Sequence, residues 1–289
     1  VGPDYPIWVR LDAEEMHTPG GITLEEALQI ARLSEPLGVN ATSVSAYARL
    51  TRGSDFTDAP IPQKSGAYLE FANAFKRVVR LPIIVAGRVE PEAGAAAIGA
   101  GEADFIAMGR KLLADPELPN KLLAGQPEAI RPCIYCYACV SEIFVNRGIK
   151  CAVNAQTGHE STAPIVPAEH AKHVLIVGGG PAGMEAARMA VLRGHRVTLV
   201  ERSDRLGGTL FFAGLAYPEN GRLLDYLVRQ MQHPRIEVLL RTTVDAALLQ
   251  RLEPDEILVA TGASRADCSS SSWKPSTCSG AGSRLALTR

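Results

Sequence analysis

The sequence has no charge excess, no long apolar run and almost no cysteine outside one short stretch. Thirty Lys and Arg face 31 Asp and Glu in 289 residues, a net charge of −1, so nothing in the balance argues for nucleic acid or an anionic membrane as partner. No apolar run approaches the roughly 20 residues of a membrane span, and no basic-then-apolar leader opens the chain. The expectation left by these absences is a cytoplasmic protein acting on a small molecule. An initiator methionine is lacking too. The opening VGPDYPIWVR already reads as an interior strand, which predicts a further N-terminal part before it. With 46% hydrophobic and 21% charged residues, the chain can bury a large core and form two domains.

What the chain does contain begins with one repeated unit. Apolar runs PIWVRL, ATSVSA, LPIIVAG and ADFIAMG alternate with LEEALQIARLSEPLG, AYLEFANAFKRVV and PEAGAAAIGAG, whose apolar positions follow the helical period. Short unalternating strands linked by helices predict a parallel sheet covered on both faces, either doubly wound or part of a (βα)8 barrel. Four strands make half of such a barrel. From Ala152 to Lys172 the prolines and the lack of period read as a linker, and a second unit opens at His173.

That second unit, HVLIVGGGPAGMEAARMAVLRGHRVTLVER, reads strand, glycine turn, helix, strand. Gly178, Gly180 and Gly183 stand in G-x-G-x-x-G register and Glu201 ends the second strand. In a dinucleotide fingerprint the first glycine makes the tight turn, the second lets backbone approach a pyrophosphate at the helix N-terminus, and the third permits helix–strand packing. Glu201, about 20 residues on, is placed for the ribose hydroxyls. The following RSDRLGG and the later ILVATGA resemble the FAD domains of two-dinucleotide flavoprotein reductases. That likeness implies FAD, or ADP, with Arg202 near the adenine, Gly207 and Gly208 near the pyrophosphate, and Thr261 and Gly262 closing the domain. No second glycine fingerprint for NAD(P)H follows. The chain ends instead in a serine-rich tail without core periodicity, which predicts disorder.

Four of the six cysteines crowd into residues 133 to 151. Cys133, Cys136, Cys139 and Cys151 give C-x2-C-x2-C-x11-C, three thiols on a tight loop and a fourth returning to it. Disulfides do not suit a cytosolic chain. Structural zinc uses four thiolates as well, generally from paired knuckles, and remains the rival of a [4Fe–4S] cluster, which the three-plus-one spacing suits. Cys268 and Cys278, in the tail, are not expected to be ligands.

The order of these motifs, AMGRKLLADPELPNKLLAGQPEAIRPC, CIYCYACV, KCAVNAQTG and LIVGGGPAGMEAAR, resembles the iron–sulfur flavoprotein family of 2,4-dienoyl-CoA reductase and trimethylamine dehydrogenase, over about residues 5 to 264. The resemblance implies an α/β fold: the C-terminal half of an old-yellow-enzyme-like TIM barrel that binds FMN (residues 1–130), a cluster segment and linker (131–172), an incomplete Rossmann-like FAD or ADP domain (173–264), and a low-complexity tail (265–289). It implies that Arg10 contacts the flavin ring. Gly87 with Arg88, and Gly109 with Arg110, match the loops that hold the FMN phosphate, where backbone amides and a guanidinium have a clear electrostatic reason to be.

Two departures concern the substrate. The loop SAYARLTRGSDFTDAPIPQ lacks the histidine proton donor of the dienoyl-CoA reductases, and VNAT lacks the aromatic residue of the amine dehydrogenases. His17 and Tyr47 are the catalytic candidates that remain. Three function classes stand at this point. One is an NADH:flavin oxidoreductase in which NAD(P)H electrons pass through FAD, cluster and FMN to an activated alkene. Another is an amine dehydrogenase or N-demethylase, with an electron-transfer flavoprotein as a possible acceptor. The third is a non-redox protein with structural zinc.

Overall fold

A computed structural model describes residues 2, 4–48 and 64–262. The chain divides into two compact units, one up to Leu112 and one from Leu113 onward. Both are parallel α/β units.

In the first unit the chain runs β1 (Trp8–Met16), α1 (Leu24–Ser34), β2 (Ala41–Ala48), α2 (Leu69–Lys76), β3 (Ile83–Val85), α3 (Pro91–Gly99), β4 (Phe105–Ile106) and the start of α4 (Gly109–Ala114). The strands pair in chain order, β1-β2-β3-β4, all parallel. Helix α1 starts where its sequence says it should: Thr23 and Glu26 form a reciprocal capping box. One face of the sheet carries Leu11, Ala13, Val44, Ala46, Ile83 and Val85 into a core with Ala27, Ala31, Ala72 and Phe75 of the helices. The opposite face differs from the two-sided cover expected. Among the described residues its register row Arg10, Ser43, Ile84, Phe105 has no helix of this unit over it, and Trp8 and Phe105 are 61% and 57% exposed.

The second unit contains α5 (Leu118–Leu123), α6 (Ala138–Phe144), β5 (His173–Val177), α7 (Pro181–Leu192), β6 (Arg196–Val200), α8 (Thr209–Ala216), α9 (Pro218–Gln230), β7 (Ile236–Leu239), α10 (Ala246–Leu252) and β8 (Glu256–Val259). Its parallel sheet has the order β7-β6-β5-β8. Here both faces are covered. Ile176, Val197 and Leu199 pack with Met184, Ala187 and Leu227, and Leu175 and Val200 pack with Leu248 on the other side. The order reverses at β5, whose neighbours β6 and β8 lead to opposite edges. In open parallel sheets, ligands bind beyond the strands' C-terminal ends at a reversal of this kind.

The serine-rich tail, Cys268, Cys278 and most of the histidine-free loop after β2 lie outside the described residues.

Candidate functional site

Three backbone turns meet beyond β5, β6 and β8. The first turn leaves β5 at Gly178, whose φ of 112° lies in the region open to glycine, and a Cβ there would stand 2.4 Å from the Ala260 carbonyl oxygen. Gly183, one turn into α7, would put a Cβ 1.9 Å from the Gly178 carbonyl oxygen. Gly180 is different: as N-cap of the 12-residue α7 it makes no side-chain cap, and a Cβ on it would meet nothing within 4 Å. The N-terminus of a helix of this length, preceded by a glycine with room for a ligand beside it, is where an anion is favoured. The second turn stacks on the first, since the Gly207 N–H donates to the Gly179 carbonyl at 2.8 Å and Gly208 lies against the Gly180 Cα. Thr261 and Gly262 follow β8, both exposed.

Glu201 directly follows β6 and closes the group. Its Oε2 accepts from the Gly179 N–H at 2.7 Å and its Oε1 from the Ser203 N–H at 2.8 Å. Burial pushes this carboxyl up, but the Ser203 and Gly179 amides, helped by Arg202, outweigh it and hold the group below the usual carboxylate value. A carboxylate has about four acceptor positions, so acceptor capacity remains here for a ligand hydroxyl. Arg202 is exposed beside it.

The cysteine segment belongs to the same unit. Cys133, Cys139 and Cys151 are half-buried and Cys136 is exposed. Tyr135 and Tyr137, on either side of Cys136, have φ of 50° and 61°, a backbone region costly for side chains of this size. The Tyr135 ring is 2% exposed, and packing of that ring holds the loop turned outward at Cys136. The Tyr135 N–H donates to the Cys133 sulfur at 3.4 Å. The return limb is fastened on both sides of Cys151. Lys150 pairs with buried Glu142 of α6, and Asn154 and Thr157 both donate to the Leu113 carbonyl, at 2.9 and 2.8 Å. The first residues of the stretch read as a linker are therefore packed structure. Among the described residues no three His, Cys, Asp or Glu side chains converge on a point that could hold one metal ion. A cubane binds its thiolates on four separate irons, so its ligands stand wider apart than those of a single ion.

In the first unit Arg10 donates through Nε to Ser45 Oγ at 3.1 Å, and Ser45 donates to Asp12 Oδ1 at 2.5 Å. All three lie on the helix-free face. Gly87 and Arg88 follow β3 with φ of 105° and 56°, and a Cβ on Gly87 would be 2.7 Å from the Tyr68 ring. The first turn of α4, which follows β4, supplies Gly109, Arg110 and Lys111. Lys111 Nζ pairs with Glu90 Oε1 at 2.7 Å, bringing this turn to the loop that carries Gly87. Sequence reading passed over Lys111, although it adjoins Arg110 in MGRK. His17 is exposed at the turn after β1, with φ of 56°. Tyr47 lies in β2, and its side chain is outside the described residues.

A parallel α/β fold with stacked glycine turns at a sheet reversal defines a nucleotide-binding type of protein. Comparison with known proteins makes it specific. Residues 1–129 match the NADH:flavin oxidoreductase / NADH oxidase family, and residues 173–256 match the FAD dependent oxidoreductase family. The chain is 40% identical over 269 residues to an NADH oxidase of Thermoanaerobacter brockii, covering 91% of this chain and 41% of that protein. Among solved structures, a 2-naphthoyl-CoA reductase complex superposes with a TM-score of 0.85 at 32% identity, over 92% of this chain and 41% of that one. Histamine dehydrogenase from Rhizobium sp. 4-9 superposes with a TM-score of 0.79 at 27% identity, over 89% and 38%. The chain spans about 40% of the length of the curated relatives it matches. The resemblance to iron–sulfur flavoproteins carried by the motif order agrees with these matches.

Proposed function

We propose that the chain is part of a cytoplasmic iron–sulfur flavoprotein oxidoreductase of the NADH:flavin oxidoreductase type that reduces an activated alkene. In this reading the first unit is the C-terminal half of a (βα)8 barrel for FMN, the second a Rossmann-like domain for FAD or ADP, and the cysteine segment holds a [4Fe–4S] cluster. The observation that carries it is the cysteine loop: four thiols in three-plus-one spacing, fastened at both ends to the unit that bears the glycine turns. The strand order 1-2-3-4 with helices on one face supports the barrel. The order 7-6-5-8 supports the Rossmann-like domain.

Bound flavins would handle electron pairs and the cluster single electrons. Gly178, Gly180 and the α7 amides would hold a pyrophosphate, with Gly207 and Gly208 lining its side, and Glu201 would take the ribose. Arg202 would lie by the adenine, and Thr261 and Gly262 would close the site. On the helix-free barrel face Arg10, held by Ser45 and Asp12, would meet the flavin ring. The amides after Gly87 and Gly109, with Arg88 and Arg110, would take the FMN phosphate. Cys133, Cys136, Cys139 and Cys151 would be the cluster ligands.

The name 2-naphthoyl-CoA reductase favours a reductive direction, and histamine dehydrogenase keeps an amine-oxidising reading beside it. The test is anaerobic reconstitution followed by iron and sulfide analysis, with about four of each per chain expected for a cubane. Stoichiometric zinc without sulfide overturns the reading. Bleaching by NADPH that an enone reverses supports the reductase. Bleaching by an N-methyl amine moves the assignment to the dehydrogenase.

A further inference from the structure

The cysteine segment opens with an arginine whose side chain reaches the segment's far end. Arg131, two residues before Cys133, donates through Nη1 to the carbonyl of Val153 at 2.8 Å, two residues past Cys151. It is only 9% exposed, and a guanidinium leaves water at high cost unless its surroundings compensate. Here they do. Its Nη2 stands 3.9 Å from Glu185 on α7, and its guanidinium carbon lies 5.8 Å from the centre of the Tyr226 ring on α9, within cation–π reach. Its backbone N–H separately donates to buried Asp115 at 2.7 Å. One residue thus ties the first limb of the loop to the return limb, and both to the helix that starts at the glycine turn.

The charge count around it does not close. Arg188 takes Glu185 in two hydrogen bonds, at 2.9 and 2.7 Å, and Lys121 pairs with Asp115 at 2.6 Å. Three cations, Arg131, Arg188 and Lys121, therefore face two carboxylates, Glu185 and Asp115, which leaves this group with one positive charge in excess, on a residue that stands two positions before Cys133 and holds the carbonyl two positions after Cys151. The Nε of Arg131 is moreover buried without a hydrogen-bond partner. Such an orphan donor carries a desolvation cost that an arriving acceptor would relieve. Four thiolates are an anionic ligand set, and they are what the loop would present when loaded.

We infer that Arg131 is a positioning residue for the cysteine segment: it closes the loop from Cys133 to Cys151 by holding both limbs, and its charge favours the more negative, reduced state of the group the thiolates bind. The inference rests on the reading of the four cysteines as ligands of an iron–sulfur cluster. Net charge and hydrogen bonding set the potential of such a cluster, so removing this cation makes reduction harder.

The experiment compares the reconstituted 289-residue chain with Arg131→Gln and Arg131→Met, reading iron and sulfide per chain and the midpoint potential by anaerobic titration. Arg131→Gln keeps a donor for the Val153 carbonyl but no charge; it should hold the cluster at a more negative potential. Arg131→Met loses both, and its iron and sulfide should fall at least two-fold. ADP affinity by calorimetry should match the parent in both, which separates loss of the loop from loss of the fold. Should Arg131→Met fail that check, the potential of Arg131→Gln still decides. A parent with four iron and four sulfide whose variants equal it in iron and potential overturns the role of Arg131 alone. A parent that binds neither iron nor sulfide overturns the cluster reading and this inference together.

Discussion

At the scale of single residues, glycines within one motif have separable jobs. Gly183 is a packing residue, because any side chain would drive into the Gly178 carbonyl at 1.9 Å. Gly183→Ala should cost about 2 kcal/mol or more, as overpacking against backbone does, and lower Tm by several degrees. At Gly180 a Cβ would have open space, with nothing within 4 Å, so Gly180→Asp should fold with an unchanged melting curve and yet bind no FAD or ADP. Calorimetric affinity equal to the parent would reject the site. Glu201 adds a pH signature. Its folded value is held below the ordinary one, so whatever it contributes to stability and nucleotide binding is fully present above the unfolded carboxylate range of about 4.3 and is lost as pH falls through the lower folded value. A loss of ADP affinity centred near neutral pH would assign the ribose contact to another group.

Among the elements, those legible in the sequence were the ones whose signal is local. The apolar runs became β1 to β4 and the helical periods became α1 to α3, because burial on one face is written at period 3.6 or in short apolar runs. Strand β1 outran its signal: it continues through Glu14 and Glu15 to Met16, past a register shift after Asp12, because pairing with β2 outweighs local polarity there. The fingerprint glycines were legible, since a close backbone approach admits few other residues. Arg131, Asp115 and Glu142 were not, because their roles depend on contacts that join distant segments. Asp104 is a similar hidden anchor, accepting from the Ile83 N–H at 2.7 Å and from Lys76 at 2.9 Å. Burial raises its pKa, but these two donors prevail and hold it low. Asp104→Ala should orphan the amide of fully buried Ile83 and cost about 1–3 kcal/mol, measured by urea unfolding. A midpoint equal to the parent would show that water replaces the carboxylate.

For the whole molecule, the two sheets differ in how far they are finished, and this bears on activity. The second sheet has helices on both faces and terminal strands of only four residues each, Ile236–Leu239 and Glu256–Val259. The first has a helix-free face with Trp8 and Phe105 exposed and a nine-residue edge strand, Trp8–Met16. A long unpaired edge beside exposed apolar side chains is a template for pairing with another chain. The 289-residue chain should therefore self-associate as concentration rises, and Trp8→Lys with Phe105→Lys should reduce that in analytical ultracentrifugation without changing ADP affinity, because neither residue lies in the second unit. On the proposed reading catalysis meets the same shortfall, because a barrel active site draws on several strand ends and the first sheet has four strands. With cluster, FMN and FAD reconstituted, NADPH oxidation by the 289-residue chain in the presence of an enone should stay below the usual enzyme range of about 1 to 1,000 per second. Turnover inside that range by a monomer would mean that four strands suffice, and that the exposed face is a working surface rather than an unfinished core.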